Sequence, residues 1–136
     1  MSFHQSGNGH FEVHYAATDE YPPEGQRELV GALVQDVATR PLSLLFRVET
    51  IATMPRAVPE FWLGVTSRLT PRLCGMAIVS ASLTVRSSAA AFGLANRLRN
   101  GKLRVKTFKP AEMEHARRWC DEQRVRYSAM RSRTAP

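Results

Sequence analysis

The sequence predicts one small α/β domain in which four to five mostly parallel strands form a sheet with helices packed on it. Three observations carry this prediction. Segments with strand patterns alternate with segments whose apolar residues recur at helical spacing. Each helical segment is long enough to connect parallel strands by a right-handed crossover. The length of 136 residues, 43% of them hydrophobic, suits a single core.

The first half of the chain contains two strands, each followed by a helix. Residues 10–15 alternate strictly, with Phe11, Val13 and Tyr15 on one face, which predicts a half-exposed strand. A helix with an apolar stripe follows and ends before Pro41; the stripe is Leu29, Val30, Leu33, Val34 and Val37. Residues 41–49 are nearly continuous in apolar residues and predict a central strand covered on both faces. A second helix over residues 56–69 carries a stripe that we expect to face the sheet: Val58, Phe61, Trp62, Val65 and Leu69.

The second half repeats this arrangement. Residues 73–79 have the pattern of a buried strand, and the hydroxyl groups that follow are able to cap a third helix over residues 84–99. Residues 102–108 alternate basic with apolar and predict an edge strand, after which a last helix begins beyond Pro110. We assign residues 1–9 to a flexible N-terminus, 10–126 to the domain and 127–136 to a basic C-terminal tail.

Composition points to a cytoplasmic protein that folds unaided. No stretch approaches the ~20 apolar residues needed to span a bilayer, and the start of the chain lacks the features of a signal peptide. Cys74 and Cys120 stand alone within apolar patterns, so we expect buried free thiols rather than a zinc or redox site.

The positive charge lies almost entirely in the last third of the chain. Residues 1–96 carry seven Arg and eight acidic residues, a net charge of −1, whereas residues 97–136 carry twelve Lys or Arg and four acids, a net charge of +8. The predicted basic patch consists of Lys102, Arg104, Lys106, Arg117 and Arg118. It would attract an acidic protein surface, nucleic acid or anionic lipid. It would equally serve to deter pairing at a sheet edge and to solvate a helix.

Recognisable catalytic and metal-binding patterns are missing from the sequence. It contains no Gly-x-Ser-x-Gly, Walker loop, Gly-x-Gly-x-x-Gly or His-Glu-x-x-His. His10, Glu12 and His14 would share one strand face, but residues two apart on a strand lie ~7 Å apart and form a ladder rather than a shell around one ion. We therefore predict no metal site, no cofactor and no catalytic residues.

Hydroxyl groups collect where the third strand leads into the third helix. Ser80, Ser82, Thr84 and Arg86 lie at the carboxyl ends of parallel strands, where ligands bind in open α/β sheets. Together they offer hydrogen-bond donors and a cation for a small anion or a nucleotide. Helix capping alone also explains the hydroxyls.

The order of elements resembles the STAS family, which includes the bacterial anti-sigma-factor antagonists. The resemblance covers roughly residues 10–125 and rests on the segments PLSLLFRVETIATMPRAVPEFW, LCGMAIVSASLTVRSSAAAFGLANRL and LRVKTFKPAEMEHARRWCDEQ. It is nearest to bacterial relatives that close with a strand running into Phe, a short turn and a helix with a late Trp, here Phe108, Lys109-Pro110 and Trp119.

Two features depart from the family. Its phosphorylated antagonists carry a serine acceptor where this chain reads Met54 to Val58, so phosphorylation at this place is not expected. The family's first strand pair also looks shortened, because residues 10–18 leave room for little more than one strand. The resemblance implies docking on another protein through the start of the second helix and the adjoining loop, with Pro55, Arg56, Glu60 and Trp62 at the contact.

The sequence thus predicts a regulatory or scaffolding module that binds another protein and is not an enzyme. The alternative is a binder of nucleic acid or anionic lipid that uses the basic C-terminal end. A domain that binds a small anion or nucleotide is the third reading.

Overall fold

The computed structural model describes residues 1–16, 22–50, 55–99 and 103–134, and within them five strands form one mixed sheet ordered as they are along the chain. The strands are β1 (Ser2–Gln5), β2 (His10–Tyr15), β3 (Leu42–Val48), β4 (Leu73–Val79) and β5 (Arg104–Phe108). The helices are α1 (Gln26–Val37), α2 (Ala57–Leu69), α3 (Leu83–Arg99) and α4 (Met113–Thr134), the last preceded by a 3-10 turn at Pro110–Glu112. β1 is antiparallel to β2, and the other neighbours are parallel. The predicted small, mostly parallel α/β domain is confirmed.

Helices cover both faces of the sheet. Successive crossovers advance in one direction, and with the usual right-handed sense they place α1, α2 and α3 on the same face. There Leu44 of β3 and Met76 of β4 join the helix stripes in the main core. On the other face Leu45, Ala77 and Phe108 pack against Ala116 and Cys120 of α4. Every residue of β4 is buried, as expected for a central strand with both faces covered.

A glycine in β4 allows α4 to lie close to the sheet. A Cβ atom added to Gly75 would meet Cγ of Gln123 at 2.9 Å and Cβ of the same side chain at 3.0 Å. Gln123 belongs to α4 and is itself buried against the sheet. Because side chains cannot approach this closely, α4 keeps its position only while residue 75 has no side chain.

We predict that Gly75→Ala destabilises the protein by about 1–3 kcal/mol, because the added methyl group overpacks the contact with α4. The matched control is Gly31→Ala on the exposed side of α1, where an added Cβ meets no atom within 4 Å. It should stabilise the protein by roughly 0.5–1 kcal/mol by reducing the conformational freedom of the unfolded chain. Urea denaturation of both variants checks the two signs. Equal stability of Gly75→Ala and the wild type would contradict the close approach.

The prediction of a flexible N-terminus over residues 1–9 was wrong for Ser2–Gln5. These residues form β1, which pairs with β2 from Ser2 opposite His14 to Gln5 opposite Phe11. The turn between the strands closes with a 2.9 Å hydrogen bond from the Ser6 amide to the His10 carbonyl. Gly9 adopts a φ of 93°, which is costly for other residues. The first strand pair is therefore present. The sequence did not predict β1 because this edge strand is short and mostly polar, and so lacks a pattern of apolar residues.

The last helix is longer than predicted. α4 continues to Thr134, so most of the segment assigned to a basic tail is helical. Its predicted start beyond Pro110 is close to the observed one, which follows the 3-10 turn. Within the described ranges no helix is both long and apolar enough to cross a membrane.

Candidate functional site

A chain of hydrogen bonds joins β3, β2 and α4 on the face of the sheet that α4 covers. Nδ1 of His10 lies 2.8 Å from Oγ of Ser43, and Nε2 of His10 lies 3.0 Å from Oε2 of Glu12. Arg117 of α4 binds both oxygens of Glu12, at 2.8 and 3.1 Å, and also contacts Glu114. We call His10, Glu12, Ser43 and Arg117 the α4 polar cluster. The prediction that β2 is half exposed was therefore wrong, because α4 closes over its polar face.

Hydrogen-bonding roles in the α4 polar cluster follow from charge. An ionised Glu12 only accepts, so Nε2 of His10 carries the proton and Nδ1 accepts from the Ser43 hydroxyl. Burial lowers the pKa of His10, although its hydrogen bond to Glu12 acts in the opposite direction. Burial raises the pKa of Glu12, but the hydrogen bonds from Arg117 and His10 outweigh this effect and the net shift is downward. His10 is thus neutral and Glu12 ionised at neutral pH.

The composition of this cluster is that of a serine, histidine and carboxylate triad, but its geometry is that of a structural contact. Ser43 is 0% exposed, so no substrate reaches its hydroxyl group in this structure. Glu12 is held by a guanidinium group as well as by His10. His14 was considered with His10 and Glu12 as a possible metal ligand. Its Nε2 atom lies 3.3 Å from Oε1 of Glu49 instead. No group of three potential metal ligands is found among the described residues.

A buried cation, Arg124, lies further along α4 than the half-buried Arg117. Arg124 is 7% exposed and donates to the carbonyl and the side-chain oxygen of Asn8 at 3.1 and 3.0 Å, and it also pairs with Asp121. Near it lie Cys74 and Cys120, which are free and buried as predicted. Burial raises the pKa of Cys74 to about 11 and that of Cys120 to about 12, so both thiols are protonated.

The residues predicted to bind an anion are used to build the start of α3. The Ser82 amide donates to Oγ of Ser80 at 3.1 Å, and the Val85 amide donates to Oγ of Ser82 at 3.3 Å. Both serines are buried, whereas Thr84 is exposed and Arg86 is half-buried. The structure therefore brings Ser80 and Ser82 together as capping groups and gives no separate evidence of a ligand.

The predicted partner-binding residues divide into two groups. Pro55, Arg56 and Glu60 are exposed at the start of α2, with 3.6 Å between Arg56 Nε and Glu60 Oε1. Trp62 is only 5% exposed and packs edge-to-face on Phe46 at 4.8 Å. Trp62 therefore does not offer a surface contact, because its place on the helix stripe turns it into the core. The adjoining loop, residues 51–54, lies outside the described residues.

The predicted basic patch is also divided. Arg104 and Lys106 are exposed on β5, and Arg118 is exposed on α4. Arg117 is half-buried and pairs with Glu12 and Glu114, so much of its charge is balanced within the fold. Lys102 lies outside the described residues. Sequence separation explains the error for Arg117, since its main partner precedes it by 105 positions.

A groove with both apolar and polar lining runs between α3 and the edge strand β5, and neither its position nor its lining was predicted. Its volume is about 350 Å³, and its lining includes Ala90, Gly93, Leu94, Val105 and Thr107. Leu94 is 59% exposed, and further along the same helix Leu98 is 81% exposed. Arg97 of α3 also lines the groove, whereas the Lys106 amino group lies over the Phe108 ring, on the face of the sheet that α4 covers. The sequence did contain one indication of this surface. Ala90, Leu94 and Leu98 are spaced four apart, so they form a second apolar stripe on α3 beside the one that faces the core.

Comparison of the chain with protein-family models, with curated proteins and with solved structures finds no match. The groove between α3 and β5 and the α4 polar cluster are therefore the features from which a function is to be inferred. The groove is open to a partner, whereas the cluster lies beneath α4.

We predict that Arg117→Ala destabilises the protein by about 1–3 kcal/mol, because it leaves the partly buried Glu12 carboxylate without its cation. The adjacent Arg118→Ala removes an exposed cation and should change stability by less than about 0.5 kcal/mol. Chemical denaturation of both variants checks the difference. Similar stabilities of the two variants would show that Arg117 does not hold α4 on the sheet.

The lowered pKa of His10 predicts a loss of stability in mild acid. As the pH falls below about 6.5, the unfolded chain takes up a proton at this residue while the folded protein does not, so the free energy of unfolding decreases. Denaturation at pH 7.5 and pH 5.5 measures the decrease, and His10→Gln should make it smaller. His4→Gln, which removes an exposed histidine from β1, should leave it unchanged. An unaltered decrease in His10→Gln would refute the assignment.

Proposed function

We propose that this protein is a STAS-like regulatory module without enzymatic activity that binds another protein through the groove between α3 and β5. The observation that carries the proposal is an open groove with apolar and polar lining, beside the exposed Leu94 and Leu98 of α3, on an otherwise well-packed domain. Leu94 on one wall and Val105 on the other are the apolar surfaces of this groove. Solvent-exposed apolar surface bordered by polar groups is typical of protein interaction sites.

The arrangement of the sheet supports the STAS-like part of the proposal. The alternation of parallel strands and helices follows the order on which the resemblance rests. The antiparallel pair of β1 and β2 supplies the first strand pair that looked shortened in the sequence. Phe108 ends β5 and lies 6.0 Å from the ring of Trp119 on α4, so the two aromatic residues of the resemblance pack together.

A protein partner accounts for the surface better than nucleic acid or lipid does. Arg117 and Arg124 are engaged within the fold, which reduces the basic surface on α4 that a polyanion would need. Phe108, the aromatic ring beside Lys106, is buried and offers no platform for stacking a base. The apolar part of the groove contributes to contact with a protein but adds nothing to contact with phosphates. Pro55, Arg56 and Glu60 remain a proposed second contact, on the resemblance alone.

The proposal predicts that Leu94→Asp abolishes capture of the partner. Tagged wild-type protein and this variant are used to purify interacting proteins from lysate of the source cells, and the captured proteins are compared by quantitative mass spectrometry. Val125→Asp is the matched control, because Val125 is 69% exposed on α4, outside the groove. We expect a protein that the wild type and Val125→Asp retain and that Leu94→Asp loses by tenfold or more, as a charge placed in an apolar contact costs about 1.4 kcal/mol or more. Identical captured sets would overturn the proposal.

A further inference from the structure

The outer edge of β5 offers backbone hydrogen-bonding groups beside the groove. The Phe108 carbonyl accepts a 3.1 Å hydrogen bond from the Ser80 amide of the chain that continues β4. In a parallel pair, alternate residues direct both backbone groups to the same neighbour, so those of Arg104, Lys106 and Phe108 face β4. The N–H and C=O groups of Val105 and Thr107 then point to the open side. Among the described residues no strand pairs with this side.

The side chains of β5 alternate in a way that gives the edge two different flanks. Val105 and Thr107 line the groove on the α3 side, where Gly93 lets the helix come close. A Cβ at Gly93 would lie 3.2 Å from Cβ of Val105. Arg104 and Lys106 project on the α4 side and are exposed. A strand added to this edge therefore meets the groove, with the apolar side chains of Leu94 and Val105, on one flank and two cations on the other.

Charge decides which occupant fits. Pairing of β5 with β5 of a second copy would place Arg104 and Lys106 beside the same two cations of the other copy, and like charges across strands are unfavourable. A segment with carboxylates on the corresponding flank carries the opposite charge to Arg104 and Lys106 and is attracted to them. The complementary sequence thus alternates Asp or Glu with Val, Ile or Leu over the five residues of β5.

We propose that an acidic, extended segment of the partner protein adds to β5 as a sixth strand, with its carboxylates beside Arg104 and Lys106 and its apolar side chains in the groove. This inference rests on the proposed function and specifies how the partner is recognised. Main-chain hydrogen bonds to Val105 and Thr107 hold the segment, and the alternating flanks select its sequence and register.

The test uses synthetic peptides and the full-length protein. A capped seven-residue peptide of alternating Glu and Val is titrated into ¹⁵N-labelled protein at low salt, and a Lys and Val peptide is the charge control. A third peptide keeps the Glu and Val sequence but is N-methylated at alternate amides, which removes the backbone donors. We expect saturable shifts and slowed exchange at the Val105 and Thr107 amides with the first peptide alone.

Charge-reversal variants make the test independent of any loss of folding. Arg104→Glu with Lys106→Glu should weaken the Glu and Val peptide by about tenfold or more and should gain affinity for the Lys and Val peptide, which an unfolded variant would not do. Arg118→Glu, on an exposed position of α4, is the control and should keep the wild-type preference.

The possible results separate the two proposals. No saturable binding of the Glu and Val peptide, equal binding of the N-methylated peptide, or no switch in charge preference would overturn strand addition. If capture from lysate still depends on Leu94, the proposed function stands and another mode of binding in the groove is required. If that dependence is also absent, both proposals fall.

Discussion

The ion pair between Arg117 and Glu12 is the contact on which the arrangement of this fold depends. α4 is the only described helix on its face of the sheet, so its position decides whether that face is core or surface. Glu12 lies in the middle of β2 and would be costly to bury alone. A bidentate guanidinium group offsets that cost, and the carboxylate in turn fixes the proton of His10 and thereby the hydrogen bond from Ser43. Polar residues on three elements are satisfied together, and the apolar contacts of Ala116 and Cys120 follow from the same docking of α4.

The two edges of the sheet differ in what they offer a partner. At one edge lies β1, a short and polar strand. At the other edge lies β5, which has apolar side chains of the groove beside it. There α3 lies against the edge strand with small residues at the contact, which leaves an open groove instead of an interdigitated core. The exposed leucines of α3 continue that surface along the helix. The proposed recognition therefore follows from how the sheet ends at β5.

The formal charge of the C-terminal third overstates the basic surface. Its net charge of +8 includes Arg117 and Arg124, which are pinned between α4 and the first strands. A count of charges treats all arginines alike, but whether an arginine contributes to a binding surface depends on the groups that it already contacts. Arg104 and Lys106 have the same sign and a different role, because they stand on an open strand edge. The same distinction applies to the serines before α3, whose hydroxyls are consumed in capping.

Local pattern in the sequence determined the element order from β2 onward, the two central strands, the edge character of β5 and the buried thiols, because each depends on neighbours within a few positions. The period of apolar residues reports which face of an element is buried, and the amount of apolar surface made β3 and β4 central. The helix stripe already indicated that Trp62 faces the core, against its place in the docking surface that the resemblance implies. Tertiary structure alone decided that Ser2–Gln5 form a strand and that Arg117 pairs with Glu12. These outcomes depend on contacts between residues far apart in the chain, for which a single sequence carries no signal. The groove belongs to the same class, since it exists only where α3 meets β5 at an edge that no other described strand covers.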